Sequence, residues 1–323
     1  MFTILFTTIG RRVELVNAFR SSYERHGTRV RVLGTDAEPH LAPAGYFVDT
    51  VFQVPRINET GYVDTLLEIC HRERVNLLIP LFEPEFLLLD ERRQEFAAKG
   101  IFVLLSDRKV IETCKDKLLT YQFFQANGIR TPLSWLPGGG PEQPEYPLFV
   151  KPRSGMGSAG VRKIENNQQL TNCLACSGDM LVQQFIPGTE YTLDVLADLT
   201  GTVLSVVPRQ RIEVRSGEVS KSRTVNRGDL IEQCRLIVEQ LGAIGPVTVQ
   251  CIDTGSEVYW IEINPRLGGG VPLAIEAGVD YPLLLAKMLA GEKVQPQLGR
   301  FRENLTMLRY DQAVYLEMPG ENL

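Results

Sequence analysis

In VTVQCIDTGSEVYWIEINPR, residues 247–266, one carboxylate and two carboxamides recur at strand spacing. Residues two apart on a strand share a face. Glu262 and Asn264 therefore point one way, and Tyr259, Ile261 and Ile263 point the other way, into the core. A hairpin turning near Thr254–Ser256 would set directly opposed residues on a common face. Any register that pairs even with even positions then places Gln250 beside Glu262 and Asn264, with Val247, Val249 and Cys251 inward. One acid and two amide oxygens suit Mg²⁺, which takes few protein ligands and completes its octahedron with phosphates and water. A polar, solvent-facing strand has the same pattern, so this chemistry needs support from other groups. Pro265 stops the strand, Arg266 emerges beside the carboxylate, and Gly268, Gly269 and Gly270 leave the next backbone mobile.

That support comes from basic residues and glycines upstream. Lys151 ends LFVKP, directly before RSGMGSAGV. A lysine there reaches a phosphate as a point charge, and the glycines let backbone N–H groups close over phosphates. A plain flexible hairpin would read the same. Val161 and Arg162 stand where a P-loop requires Lys and Ser/Thr, so that motif fails. Lys117 opens a helix in CKDKLLTYQF, and Glu190 follows a turn in IPGTEY. Arg11 and Arg12 sit at a helix start in TTIGRR, where an anion is favoured; a solvated arginine pair reads equally well. That turn has one glycine, so the dinucleotide fingerprint is absent, although Asp36 ends the second strand where a ribose acid would sit. Cys173 and Cys176 have metal-ligand spacing, but there is no second pair and no nearby histidine.

The elements that must position these groups fall into three parts. MFTILFTT, VRVLGTD, VNLLIPLF and IFVLLS read as four strands, separated by helices at RRVELVNAFRSSYERHG, YVDTLLEICHRE and PEFLLLDERRQEFAAKG. This alternation implies a parallel sheet. A helix is expected over about Ile111–Asn127, followed by a Gly/Pro-rich loop, SWLPGGGPEQPEYP. Short strands then surround the glycine loop. Longer antiparallel strands follow from Tyr191, with helices near 229–242 and 281–290 and a last strand around 306–316. The expected organisation is a Rossmann-like domain at 1–110, a linking helix and small α/β lid at 111–186, and a larger α+β body at 187–323. The 323 residues suit two or three domains. A net charge of −5 argues against a general nucleic-acid binder. No apolar run reaches the ~18 residues of a membrane span, and the N-terminus lacks the basic start of a signal peptide. The six cysteines read as reduced thiols, and a cytoplasmic enzyme is expected.

These pieces in this order resemble the ATP-grasp superfamily, above all single-module relatives of the carbamoyl-phosphate synthetase large subunit and biotin carboxylase. The resemblance covers nearly the whole chain, and IEINPR is its most specific string. It implies ATP and Mg²⁺, or Mn²⁺ in its place, as cofactors. Lys117 and Lys151 become phosphate lysines, with Ser154, Gly155, Gly157 and Ser158 in the flap. Gln183, Gln184, Phe185 and Ile186 border adenine, and Glu190 holds ribose. Gln250, Glu262 and Asn264 ligate the metal. Arg266, Lys151 and Arg211 serve catalysis. Arg11, Glu83, Glu85, Lys221, Arg223, Gly268 and Gly269 are candidates for substrate contacts, although Glu83 and Glu85 would equally cap the following helix. Many relatives carry a glutamate where this chain has Gln183 and Gln184. The implied activity is ADP-forming carboxylate–amine or carboxylate–thiol ligation through an acyl phosphate, on small-molecule partners, with a homodimer as a family-level expectation. Two other readings stay open: half of a split carbamoyl-phosphate synthetase acting on bicarbonate or carbamate, and a nucleotide-sensing module that is not an enzyme.

Overall fold

The structure is a computed structural model that describes residues 2–155, 157, 159–175, 178–215 and 217–316; Ser158 and Cys176 lie outside the described residues. The first third forms β1 (Phe2–Thr7), α1 (Val13–Arg25), β2 (Val30–Asp36), β3 (Thr50–Gln53), α2 (Tyr62–Arg72), β4 (Leu77–Pro80), α3 (Phe86–Glu91), α4 (Arg93–Ala98) and β5 (Phe102–Val103). The strands make a parallel sheet in the order β3-β2-β1-β4-β5. Sequence reading expects four of these strands. It misses β3, a four-residue edge strand whose side chains are half-buried or exposed and so show no apolar run. Asp36 closes the β1–α1 turn by accepting from the backbone N–H of Gly10 and of Glu38.

The long helix expected near 111–127 is two helices, α5 (Arg108–Lys115) and α6 (Lys117–Ala126). Asp116 makes the break. Its carboxylate accepts from the N–H groups of Leu118 and Leu119, an N-cap that starts a new helix. The same carboxylate takes a two-pronged contact from Arg153, and Lys117 N–H donates to the Arg153 carbonyl. The break therefore ties the base of α6 to the segment after Lys151. The helix expected over 84–100 is likewise two, divided at Arg92.

A small antiparallel sheet follows, order β6-β9-β7-β8, from β6 (Ser134–Trp135), β7 (Leu148–Pro152), β8 (Arg162–Ile164) and β9 (Met180–Gln184), with α7 (Asn167–Ala175). β6 lies in the stretch read as loop; it pairs with Gln183 and Val182. This lid has its own core, including Leu148, Val150, Ile164 and Val182.

The body contains β10 (Thr189–Ala197), β11 (Val203–Arg215), β12 (Glu218–Thr224), α8 (Gly228–Leu241), β13 (Gly245–Asp253), β14 (Val258–Asn264), α9 (Val271–Glu276), α10 (Tyr281–Leu289) and β15 (Thr306–Leu308). Its six strands run in the order β14-β13-β10-β11-β12-β15 and are antiparallel. α8 packs one face through Leu230, Cys234 and Val238 against Val195, Val249 and Trp260. A second core joins body to parallel sheet, with Phe6, Phe19 and Tyr23 meeting Leu267, Val271, Tyr281 and Leu285. Burial of that apolar surface fixes the N-terminal domain to the body. No helix among the described residues is long and apolar enough to cross a membrane.

Candidate active site

Gln250 sits directly opposite Glu262, and Thr248 opposite Asn264, in the β13–β14 ladder. The ladder continues across the sheet. Thr192 pairs with Gln250 on one side and Arg209 on the other, so Glu262, Gln250, Thr192 and Arg209 form one cross-strand row. Asn264, Thr248 and Asp194 begin the next row on that face. Opposed residues point the same way, so the body presents a polar face built from four strands. The even-with-even register expected from sequence is present, with one correction. Gln250 pairs with Glu262 but Cys251 pairs with Trp260, leaving Ile261 as the extra residue of a β-bulge. The bulge reverses the alternation beyond it. Trp260 is therefore the core residue, Tyr259 is half-buried, and Ile261 lines the cavity beside Glu262.

This face forms the floor of a cavity of about 550 Å³ between body, lid and N-terminal domain. Gln250, Glu262, Asn264, Lys117, Lys151 and Arg266 all line it. Lys151 Nζ donates to Gln183 Oε1 at 2.8 Å. Gln183 Nε2 donates to Ser134 Oγ at 2.8 Å, and Ser134 in turn donates to the Pro132 carbonyl at 3.0 Å. The Gln183 side chain is thus committed to fixing the lysine. Burial lowers the Lys151 ammonium to about 8, with Glu262 pulling it back up and Lys117 pushing it down. Lys117 Nζ donates to the Gly155 carbonyl at 2.9 Å, bringing the flap over the cavity. Gly155 holds φ 131°, a conformation that favours glycine. Gly157, Gln184 and Ile186 also line the space.

Several expected residues lie elsewhere. Ser154 is exposed and is not among the lining residues. Phe185 turns its ring onto Phe149, with centroids 5.2 Å apart, beneath the Lys163 ammonium. Lys221 and Arg223 alternate with buried Ser222 and Thr224 on β12, so they face solvent, where they bond Glu213 and Gln210. Glu85 is fully buried. It accepts from Thr7 Oγ1 at 2.8 Å, from Phe82 N–H at 3.1 Å and from the Tyr62 hydroxyl, and so is removed from the cavity. Glu83 accepts from Arg266 Nε at 2.8 Å and aims that guanidinium. Arg11, Gly268 and Gly269 line the cavity at its N-terminal side. Glu190 lies 3.3 Å from Arg211 Nε, an ion pair at the cavity wall; burial raises the Glu190 carboxyl while Arg211 opposes this.

Sequence reading does not single out Arg209, although strand alternation in VVPRQRIEV puts it on the face of Arg211. It is 3% exposed, its Nε donates to Asp194 at 2.7 Å, and its Nη1 has no partner among the described residues. A Cβ added at Gly270 would sit 2.4 Å from the Arg209 guanidinium carbon, so a side chain there would have to displace the guanidinium that pairs with Asp194. Arg12, Glu218 and Thr248 are further lining residues without a local motif. Among the described residues no group of three His, Cys, Asp or Glu side chains could hold a metal. The set of one carboxylate and two carboxamides fits a cation that brings phosphate and water ligands with it.

Comparison with known proteins agrees with this fold. A family model described as an ATP-grasp domain matches residues 114–270, and one described as PylC-like, N-terminal domain matches residues 4–104. The chain is 23% identical over 217 residues to the carbamoyl phosphate synthase large chain of Agathobacter rectalis, covering 61% of this chain and 20% of that one. It is 27% identical over 201 residues to D-alanine–D-alanine ligase of Marinomonas sp., covering 54% of this chain and 63% of that one. It therefore spans only about a fifth of the synthase large chain. Among solved structures, the biotin carboxylase domain of Hydrogenobacter thermophilus 2-oxoglutarate carboxylase superposes with a TM-score of 0.72 at 18% identity, covering 95% of this chain and 73% of that one. The L-amino acid ligase of Bacillus licheniformis gives 0.69 at 21% identity, with 95% and 78% covered. The chain therefore carries an ATP-grasp domain set behind a PylC-like N-terminal domain.

Proposed function

We propose that the chain is an Mg-ATP-dependent, ADP-forming ligase that activates a small carboxylic acid or amino acid as an acyl phosphate and joins it to an amine or thiol. The observation that carries this reading is the convergence of Gln250, Glu262 and Asn264 with Lys117, Lys151 and Arg266 on one cavity. A carboxylate is a poor electrophile because its charge is delocalised. Its oxygen attacks the γ-phosphorus and ADP leaves; the nucleophile then attacks the acyl carbon, phosphate leaves, and the nucleophile gives up a proton. Lys117 and Lys151 hold the phosphates as point charges, and flap N–H groups close over them. Arg266, steadied by Glu83, faces charge on the transferring phosphoryl group. Gln250, Glu262 and Asn264 would hold Mg²⁺, which when bound neutralises phosphate charge. Closure of the lid over the cavity would keep water from the acyl phosphate.

The test is ADP release across pairs of acids and amines, in the wild type and in Glu262→Gln. The variant should fall by roughly two to three orders of magnitude, the usual cost of losing one electrostatic stabiliser, with an unchanged fold. Normal turnover in that variant removes the metal assignment. The match to the synthase large chain supports one second reading, phosphorylation of bicarbonate or carbamate. ADP release stimulated by bicarbonate with no other acid present would select it.

A further inference from the structure

A second cavity of about 340 Å³, which the reaction above leaves unused, adjoins the first and shares Arg11, Arg12, Glu218, Arg266, Gly268 and Gly269 with it. Its walls come from the β1–α1 turn, from Leu81 and Phe82 after β4, from the glycine segment after β14, and from Arg309 near the end of the described chain. Four arginines, Arg11, Arg12, Arg266 and Arg309, line it against two glutamates, Glu14 and Glu218. Two of the arginines have partners. Arg309 Nη1 lies 2.9 Å from Glu218 and its Nη2 3.6 Å from Glu14, while Arg266 is held by Glu83. Arg11 and Arg12 have no carboxylate at ion-pair distance among the described residues.

Arg12 is the informative one. Its Nη1 lies against the glycine segment, 3.2 Å from where a Cβ on Gly269 would be. Burial pushes its guanidinium down to about 10, and Arg266 adds to that, while Glu218 opposes it. Arg12 is half-buried, and the acid that acts on it, Glu218, is already paired with Arg309, so an anion entering the cavity would relieve a charge that the protein leaves under-compensated. Arg12 also precedes α1, whose first turn has no side-chain cap, and the N–H groups there add to the positive potential. The triphosphate would have its own cations, Lys117 and Lys151, which line the first cavity and are not among the lining residues of the second.

We propose that the second cavity receives a second anionic group of the acid substrate, a carboxylate or a phosphoryl group, so that the substrate class is short-chain dianionic acids. One acidic group is activated beside Arg266; the other is held by Arg11, Arg12 and Arg309. The proposal rests on the ligase reading and names its substrate class.

The experiment is calorimetric titration of the full chain, loaded with Mg²⁺ and a non-hydrolysable ATP analogue, with butanoate, glutarate and 4-phosphonobutanoate. A charge-assisted contact of this kind should favour one dianion over butanoate by about tenfold or more. The stronger dianion tells carboxylate from phosphoryl recognition. In Arg12→Gln the preference should shrink toward unity. Equal affinity for the three acids, no binding of any, or a preference that persists in Arg12→Gln overturns the proposal. Should Arg12→Gln fail to fold, Glu14→Gln on the exposed rim removes an opposing charge and should tighten glutarate about twofold; unchanged or weaker binding there overturns it equally. Dianion preference without ADP release in the presence of amines would instead sink the ligase reading and leave the anion site standing.

Discussion

The two walls of the cavity are each rooted on a fully buried acid, and the two acids are satisfied in different ways. In the body, Asp194 faces the Arg209 guanidinium at 2.7 Å, and the pair underlies the polar face of the sheet. In the N-terminal domain, Glu85 meets neutral donors, among them Thr7, Tyr62 and the Phe82 N–H, and no cation at ion-pair distance among the described residues. It ties the end of β1 to the Leu81–Phe82 segment, from which the β1–α1 turn and Glu83 project. A buried charge opposite a cation is held by Coulomb attraction. A buried carboxyl with no cation to face is disfavoured as an anion, and burial pushes Glu85 up to about 7 against the pull of its hydrogen bonds. One wall is held by a charge pair and the other by an acid whose ionisation burial opposes. The walls should therefore break under different insults.

The largest effect is expected from breaking the pair. Asp194→Ala leaves Arg209 charged, buried and unpaired, and should cost about 3–5 kcal/mol in chemical denaturation. An apolar replacement of both partners should recover most of that loss, because neither charge then remains to be buried. If Asp194→Ala alone is nearly neutral, water reaches Arg209 and the body wall is looser than its burial implies.

The same contrast decides what the sequence discloses. The body wall comes from strands adjacent in sequence, so period-2 alternation by itself places Gln250, Glu262 and Asn264 together. Arg209 is readable by that rule from its spacing to Arg211. Alternation fails at Ile261, because a bulge adds a residue that no pattern of types betrays. Arg12, Glu83, Gly269 and Arg309 are brought together by packing of segments far apart in the chain, and nothing local links them. The same holds for Glu85, whose acidic neighbourhood in Glu83-Pro84-Glu85 suggests a ligand pair. Helical propensity runs through Asp116, yet its capping role, set by Arg153 on the lid, divides the helix. The parallel sheet is legible from its buried strands and the edge strand β3 is not.

Glu85 supplies the second test, through pH. Its carboxyl is raised in the folded state, so its contribution is fully present below the unfolded value near 4.5 and is lost as pH rises through about 7. Over that window the wild type should lose about 3 kcal/mol of unfolding free energy relative to Glu85→Gln, which keeps an acceptor but cannot ionise. Equilibrium denaturation of both chains at pH 4.5, 6 and 8 gives the difference directly. A constant difference would mean that Glu85 is already ionised in the folded protein and that the N-terminal wall, too, tolerates a buried charge.

The smallest effect concerns the lid, which supplies the third side. Lys151 is pushed down to about 8 by burial, with Lys117 adding to the shift, Glu262 opposing it and Gln183 as its hydrogen-bond acceptor. The free protein therefore loses the Lys151 proton as pH passes 8, whereas a bound triphosphate favours the ammonium. Nucleotide phosphates are fully ionised in that range, so the lysine dominates the change. Binding must then take up a proton, and affinity for a non-hydrolysable ATP analogue should fall by up to about tenfold per pH unit above 8. Lys151→Met should bind more weakly at pH 7.5 but show little change up to pH 9.5. A wild type equally indifferent to pH would mean that Gln183 keeps the ammonium charged, making Lys151 a cation held in readiness by the lid alone.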